Sequence, residues 1–496
     1  MIRTNERLNE HAPSELRDVK VHLVSLGCPK NLVDSEVILG GLGARGLVIT
    51  PDPDAADVIV VNTCSFIEAA KEESIQTILE ACELKSRSEH PKKVVVTGCL
   101  SQRYGPELRR EIPELDAIVG LGEYSNLADA LLGLVGDSAR SHYQVSDPNY
   151  ACFAEVGRFR LTPAHYAYLR ISEGCDNPCT FCSIPSFRGR FRSKPIDMVV
   201  EEARELVASG ARELILISQD TTSYGVDIDG TFQLDRLLHA LGDVDGVEWI
   251  RLLYAYPAYT TDAMIDAIAA VPKVVPYVDI PLQHIADDVL RRMGRRMNET
   301  KTRALLERMR ERIPGLYLRT TFIVGFPGET DADFRALCDF MREVRFERLG
   351  VFTFSAEDGT PAAKFAGQIP SELQEERLED LMLIQQEIAF EQNLSRHGEV
   401  ADVIVDSIDE DESGRTVITA RSRGEAPEID PVILVRLDGS GSGPKPGEGS
   451  PARKGFIELP VAGSGVAPRV DPEPGAFLRV RITGHDDYDL VAAPAT

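Results

Sequence analysis

Three short apolar runs in the first hundred residues each stop at a cysteine: VHLVSLGC at Cys28, VIVVNTC at Cys64 and KVVVTGC at Cys99. β-Branched residues dominate all three. Helix-like stretches, NLVDSEVILGGL and SFIEAAKEESIQTILEACELK, follow the first two, and this alternation of strand and helix builds a parallel α/β sheet. The cysteines are 36 and 35 residues apart, about one strand-helix unit each. A parallel sheet carries all three to its carboxyl edge, where open α/β folds hold their ligands. Cysteines far apart in sequence are therefore expected to meet at one site. A lone cysteine is more often a buried structural thiol, but three at equivalent positions reverse that expectation.

A second set is local. Residues 174–186 read GCDNPCTFCSIPS, with Cys175, Cys179 and Cys182 and no fourth cysteine nearby. The chain has nine cysteines in all, an odd number in a long chain without an export-like leader, which argues against a disulfide framework and for metal or cluster ligation. Zinc would call for paired Cys-x-x-Cys units or added histidines, and none follow. Closely spaced thiolates on a loop after a barrel strand suit an iron-sulfur cluster with one iron left open. An electron-transfer cluster would close that corner with a fourth protein ligand, whereas an open corner is a place to bind something reactive. Cys82, in an amphipathic helical pattern, Cys338, within DADFRALCDFMREV, and Cys152, in an irregular stretch, are expected to be structural thiols.

With 496 residues the chain exceeds a single core. The polar opening MIRTNERLNEHAPSELRD lacks the apolar segment of a signal peptide, and no apolar run approaches the roughly 20 residues that span a bilayer, so a cytoplasmic protein is expected. Basic residues number 54 against 79 acidic, a net charge of -25, which repels nucleic acid at long range and draws in a basic partner. An irregular polar stretch from about 135 to 163 reads as a linker. Beyond it AYLRISEGC, ELILISQDTTSYG, WIRLLYAYP, VVPYVDIPLQH, LRTTFIVGFPGET and RLGVFTFSAEDGT are six strand candidates separated by helical patterns, a βα repeat two units short of the usual eight and hence a partial barrel. Gln219, Asp220, Gln283 and Glu329 cluster where these strands end, the rim where barrel chemistry sits. From about residue 398, four short strand-like runs suggest a small β-barrel, interrupted by the flexible DGSGSGPKPGEGSPARKG. The expected units are 18–135, 161–397 and 398–496.

The spacing Cys-x-x-x-Cys-x-x-Cys, with Phe181 before the last cysteine, resembles the signature of radical S-adenosylmethionine enzymes. That resemblance implies a 4Fe-4S cluster on Cys175, Cys179 and Cys182, an open iron that chelates the methionine moiety, and reductive cleavage to a 5'-deoxyadenosyl radical. The three-cysteine sheet in front and the small β-domain behind make the whole order, roughly residues 20 to 492, similar to the methylthiotransferases. This implies a second 4Fe-4S cluster on Cys28, Cys64 and Cys99, again with an open iron, that carries the sulfur to be methylated. One S-adenosyl-L-methionine would supply the methyl group and another the radical. The implied architecture is an α/β protein: an N-terminal open parallel sheet, a central partial (β/α)6 barrel and a C-terminal TRAM-like, OB-like β-domain. Phe181 is expected at the adenine, and Gln219, Asp220, Gln283 and the turn 325–329 (GFPGE, with Gly325 and Glu329) at strand-end positions where the family binds S-adenosylmethionine. Arg188, Arg190 and Arg192 form a basic run suited to a carboxylate.

One branch of this family modifies an adenosine in transfer RNA; the other modifies the β-carbon of an aspartate in small-subunit ribosomal protein twelve. SLGCPKNLVDSE, GCDNPCTFCSIPSFRGRFRSKP and ARSRGEAPEIDPVILV resemble the ribosomal branch. From Gly398 onward there are 10 basic and 18 acidic residues, a net of -8, which favours a basic ribosomal protein over stable nucleic-acid binding. An electron donor such as flavodoxin or ferredoxin is the other implied partner. The competing readings are the transfer RNA enzyme and a non-catalytic iron-sulfur, ribosome-binding factor.

Overall fold

The computed structural model describes residues 19–88, 91–135, 142–150, 155–411, 414–437 and 472–495; Cys152 and the Gly/Ser/Pro stretch lie outside them. The first sheet contains β1 (Lys20–Ser25), β2 (Val48–Ile49), β3 (Val58–Thr63), β4 (Lys93–Gly98), β5 (Ala117–Val119) and β6 (His142–Gln144). All are parallel, in the order β2-β1-β3-β4-β5-β6. Val58 and Val60 face one apolar layer, with α1 (Pro29–Ala44) and α4 (Tyr124–Val135), while Ile59, Val61, Val94 and Val96 face the other, with α2 (Glu68–Arg87) and α3 (Cys99–Glu111). Burial on both faces explains the near-continuous β-branched runs. Within the stretch from 135 to 163, expected to be irregular, His142–Gln144 instead adds an edge strand beside β5. Its polar composition, HYQ, carries no apolar alternation to betray it.

The central sheet contains β7 (Tyr166–Arg170), β10 (Glu213–Ile217), β11 (Trp249–Leu252), β12 (Val274–Asp279), β13 (Tyr317–Val324) and β14 (Arg348–Thr353). These are the six expected strands, parallel and paired in chain order with β7 and β14 as open edges. A two-stranded ribbon, β8 (Ser172–Glu173) with β9 (Arg192–Ser193), brackets the second cysteine set. The inner face is not empty. Leu32, Val33 and Val37 of α1 pack among Tyr166, Tyr168, Ile215, Ile217, Leu253 and Tyr277, so a helix of the first sheet fills part of the open barrel.

The C-terminal part closes into a five-stranded barrel of β15 (Val400–Glu410), β16 (Thr416–Arg421), β17 (Ile433–Arg436), β18 (Phe477–Asp486) and β19 (Asp489–Pro494), in the order β15-β16-β17-β19-β18. FLRVRITGHDDYDLVA, expected as one run, folds as two antiparallel strands. Asp487 takes the left-handed backbone (φ 52°) that the tight turn requires.

Buried ions join this barrel to the central one. Glu213, the first residue of β10, accepts from Arg251 Nε at 2.7 Å and from Arg421 Nη1 at 2.7 Å, and Arg421 Nε reaches Asp406 at 2.7 Å. The hydroxyls of Tyr166 and Tyr168 donate to Glu428, and that of Tyr277 to Asp430. Glu213 thus neutralises two guanidinium groups that are both almost fully buried. Removing one member of such a group leaves uncompensated charge in the interior. Glu213→Ala is expected to lower stability by about 3–5 kcal/mol, measured as a shift of the urea unfolding midpoint.

Candidate active site

The first cysteine set forms because the strands of the first sheet end level. Ser25 pairs with Asn62 and Asn62 with Thr97, and Cys28, Cys64 and Cys99 follow within three residues. Gly27 (φ 89°) allows the close approach: a Cβ there would stand 2.8 Å from Cys64 Cβ and 3.1 Å from Cys64 Sγ. Burial pushes the Cys64 and Cys99 thiols up, and the charges of neighbouring cysteines of the set add to it. Asn31, in the first turn of α1, braces the cluster of thiols. Its amide donates to Leu26 O (3.1 Å) and Thr63 O (2.9 Å), and its Oδ1 lies 3.3 Å from Cys99 Sγ.

The second set lies on the loop after β8. Gly174 (φ 77°) starts it, and a Cβ there would collide with Arg190 O at 2.0 Å. Asn177 Nδ2 donates to Cys175 Sγ at 3.4 Å and to Asp220 Oδ2 at 2.8 Å, Cys182 N donates to Cys179 O at 3.2 Å, and Arg295 Nη1 lies 3.6 Å from Cys179 Sγ. Burial pushes the Cys175 thiol up to about 12, and that of Cys182 higher. Among the described residues no three His, Cys, Asp or Glu side chains close around a single metal ion. Thiolates that each hold a different corner of a cluster stand further apart than ligands of one ion, so two exclusively thiol donor sets, each of three, fit iron-sulfur clusters.

One arginine joins the two sets. Arg188, at the end of α5 (Ile184–Arg188), donates to Cys99 Sγ at 3.1 Å, Asn31 Oδ1 at 2.6 Å, Asp34 at 2.8 Å and Glu173 at 3.3 Å. The next residue, Gly189, accepts from Cys175 N at 3.1 Å. Arg170 completes the network, reaching Asp34 at 2.6 Å and Glu173 at 2.8 Å. Of the basic run expected to meet a carboxylate, Arg188 meets Asp34 and Glu173 of the chain itself; Arg190 is exposed, and Arg192 lies over the Tyr150 ring. A cavity of about 410 Å³ lies behind this network, lined by Val37, Leu42, Leu121, Tyr124 and Tyr150 among others, and contains none of the six cysteines.

The other expected residues divide into two groups. Gln219 donates to Glu173 Oε1 at 2.8 Å and leaves its own Oε1 buried without a partner; Gln283, held left-handed at φ 73°, leaves its Oε1 in the same state. Orphaned acceptors of this kind await a donor, which fits the amino and hydroxyl groups of S-adenosylmethionine. Asp220 engages both oxygens internally, with Thr222, Ser223 and Asn177, and so braces the cysteine loop. Phe181 meets Phe326 edge to face, with ring centres 6.4 Å apart. Gly325 (φ 72°) lies under Gln374, and Glu329 accepts from Arg377 at 2.9 Å and from the Phe326 amide at 3.1 Å, which ties this turn to the helix 371–395. Lys30 escaped the sequence reading. Its Nζ sits 3.0 Å from the centre of the Tyr254 ring, and burial lowers it to about 8. The only sequence signal was its place two residues after Cys28.

Burial raises the Glu329 carboxyl from 4.5 to about 7 despite Arg377. The native state therefore holds this proton more tightly than the unfolded chain, an advantage complete below about pH 4.5 and lost as pH rises through 7. Glu329→Gln is expected to flatten stability across that window relative to the unsubstituted protein, checked by denaturant titrations at a series of pH values.

Residues 20–120 match the family described as uncharacterized protein family UPF0004, and residues 169–341 match the radical SAM superfamily. The solved radical S-adenosylmethionine methyltransferase TsrM from Kitasatospora setae shares the fold at a TM-score of 0.50 and 14% identity, over 70% of this chain and 74% of that one. The ribosomal protein uS12 methylthiotransferase RimO of Desulforamulus reducens is 48% identical over 83% of this chain and 92% of its own length, and that of Geobacter sulfurreducens is 44% identical over 95% and 98%. At that identity over nearly its whole length, the chain belongs to the RimO family of radical SAM methylthiotransferases.

Proposed function

We propose that the protein inserts a methylthio group at the β-carbon of an aspartate in small-subunit ribosomal protein twelve. Residues 18–135 would hold one 4Fe-4S cluster through Cys28, Cys64 and Cys99. Residues 161–397 would hold the other through Cys175, Cys179 and Cys182, together with S-adenosyl-L-methionine, and residues 398–496 would meet the substrate. The observation that carries this reading is the pair of thiol triads at the carboxyl ends of two sheets, tied together by Arg188 and Gly189. When bound, the clusters would pass on the electron and carry the sulfur, and S-adenosylmethionine would supply the methyl group and the radical that abstracts hydrogen from an unactivated carbon.

The chain's own residues would position and shield that chemistry. Asn177 and Arg295 hydrogen-bond the thiols of Cys175 and Cys179, and Arg188 does so for Cys99. Donors to thiolate sulfur stabilise its negative charge and set the cluster's potential. Gln219 and Gln283 would meet S-adenosylmethionine through their unpartnered carbonyls, while Asp220 and Glu329 hold the loops around it. The net charge of -8 on the C-terminal part favours a basic ribosomal protein. A flavodoxin or ferredoxin would deliver the electrons. Among the described residues no helix is long and apolar enough to cross a membrane.

Reconstituted protein is expected to bind about eight irons per chain, two cubanes' worth, and mass spectrometry should find a methylthio group on the ribosomal protein and none on transfer RNA. A modified adenosine with unmodified ribosomal protein would reverse the choice of substrate. Cys179→Ala is expected to abolish reductive cleavage of S-adenosylmethionine. Cys64→Ala should retain that cleavage and lose sulfur insertion; full product from the Cys64 variant would remove the role given to the first triad.

A further inference from the structure

The buried cations on the side of the first triad are matched to carboxylates except Lys30, while Arg295, beside the second triad, is taken up by Cys179 Sγ, Pro281 O and the Tyr256 ring. Arg170 faces Asp34, Glu155 and Glu173; Arg188 faces Asp34 and Glu173; Arg319 faces Asp279; and Lys194 faces Glu155 and Glu202. Lys30 is 7% exposed, and among the described residues no carboxylate lies in ion-pair range of its Nζ. It rests on the Tyr254 ring, 3.0 Å from the centre. A ring face replaces only part of the hydration that a buried ammonium loses. Asp279, the carboxylate at the end of β12, is already engaged by Arg319 Nη1 at 2.9 Å and by the Tyr254 amide at 3.0 Å.

Its placement is as informative as its lack of a carboxylate partner. Lys30 follows Cys28 by two residues, at the start of α1, and lies against the carboxyl ends of β11 and β12 through Tyr254 and Asp279. Tyr254 has a left-handed backbone, φ 61°, an uncommon conformation for an aromatic residue and one that marks functional rims. That backbone is fixed by the Asp279 bond and by Thr221, whose amide donates to Tyr254 O at 3.1 Å. The ammonium is therefore held rigidly at the meeting of the first triad and the barrel rim.

We infer that Lys30 is a specificity-determining residue that receives the side-chain carboxylate of the substrate aspartate, holding its β-carbon between the two cysteine triads. This rests on the function proposed above and adds the group that recognises the substrate's charge. An aspartate entering this water-poor rim brings a negative charge that must be neutralised there; Arg170, Arg188 and Arg319 are already neutralised by carboxylates of the chain, and Arg295 is engaged at Cys179. Lys30 is the buried cation beside the first triad that, among the described residues, has no carboxylate partner. The pairing also orients the substrate, since a carboxylate fixed on one side leaves the adjacent carbon as the one presented to the site.

The test changes both partners. Reconstituted wild-type protein, Lys30→Met and Lys30→Arg are assayed by mass spectrometry on ribosomal protein twelve and on the same protein carrying asparagine in place of the modified aspartate. The wild type is expected to prefer aspartate by roughly 10- to 100-fold in kcat/KM, the range for a hydrogen bond to a charged group. Lys30→Met should lose roughly that factor on aspartate and show no preference between the two substrates, with Lys30→Arg in between. Equal rates of the wild type on both substrates would overturn the inference without reference to any variant. So would a Lys30→Met protein that keeps the preference, or one whose iron content falls, which would assign Lys30 to the cluster. A wild type that leaves the ribosomal protein unmodified while cleaving S-adenosylmethionine overturns the functional reading itself, and this inference with it.

Discussion

The structure depends on a buried ion network set between two sheets that are separate in sequence. Arg188 and Arg170 on the barrel side reach Asp34 on α1 of the first sheet, and Glu173 sits between the two guanidinium groups. Charges this deeply buried are tolerable only when their partners are fixed in place, so the network holds the two sheets in one relative position. The same Arg188 touches Cys99, and Glu173 stands two residues before Cys175. The tie that fixes the domains is thus also the tie that fixes the thiols. An active site assembled from two cluster-binding units needs a stiff joint of this kind, because hydrophobic contact alone is non-directional and would leave the distance between the units to side-chain packing.

Much of this was legible in the sequence, for reasons that differ by element. The strands before Cys28, Cys64 and Cys99 are buried on both faces, so their β-branched runs are unmistakable, and the six barrel strands read equally well. The cysteines announce themselves because their spacing matches the strand-helix unit in one case and a single loop in the other. What escaped is what depends on distant partners. Arg188 sits in a run of arginines that looks like a solvated basic loop, and nothing local reveals that Asp34, some 150 residues earlier, buries it. Asp220 is at a strand end, where a ligand contact is the natural expectation, and nothing local reveals that its oxygens also accept from Thr222, Ser223 and Asn177. His142–Gln144 pairs as a strand through its backbone alone, which leaves no mark on side-chain pattern.

Helix α1 concentrates these themes. It begins at a cysteine, presents Lys30 and Asn31 to the rim, places Asp34 in the ion network and sends Leu32, Val33 and Val37 into the open barrel. A helix buried on several sides has no single apolar stripe, so its amphipathic signal is weak although its constraints are many. Polar residues at 30, 31, 34, 35 and 36 are all buried, an arrangement that propensity would never favour; hydrogen-bond partners stabilise those at 31, 34, 35 and 36, and Lys30 rests on the Tyr254 ring.

The C-terminal barrel has a further consequence for how such a chain can be taken apart. Its residues Asp406, Arg421, Glu428 and Asp430 reach into the central barrel, and Ile404, Ala426 and Phe477 belong to the apolar layer that lines the barrel's inner face. A six-stranded open barrel has a gap where two further strands would stand, and the structure fills its interior from both ends of the chain. The small β-barrel is therefore a structural floor as well as an appendage, and removing it would leave the buried Glu213 without its Arg421 partner. Modular exchange of that domain between relatives would have to carry Glu213, Arg251 and Tyr166 along with it, so the boundary of inheritance runs through the middle of the catalytic barrel.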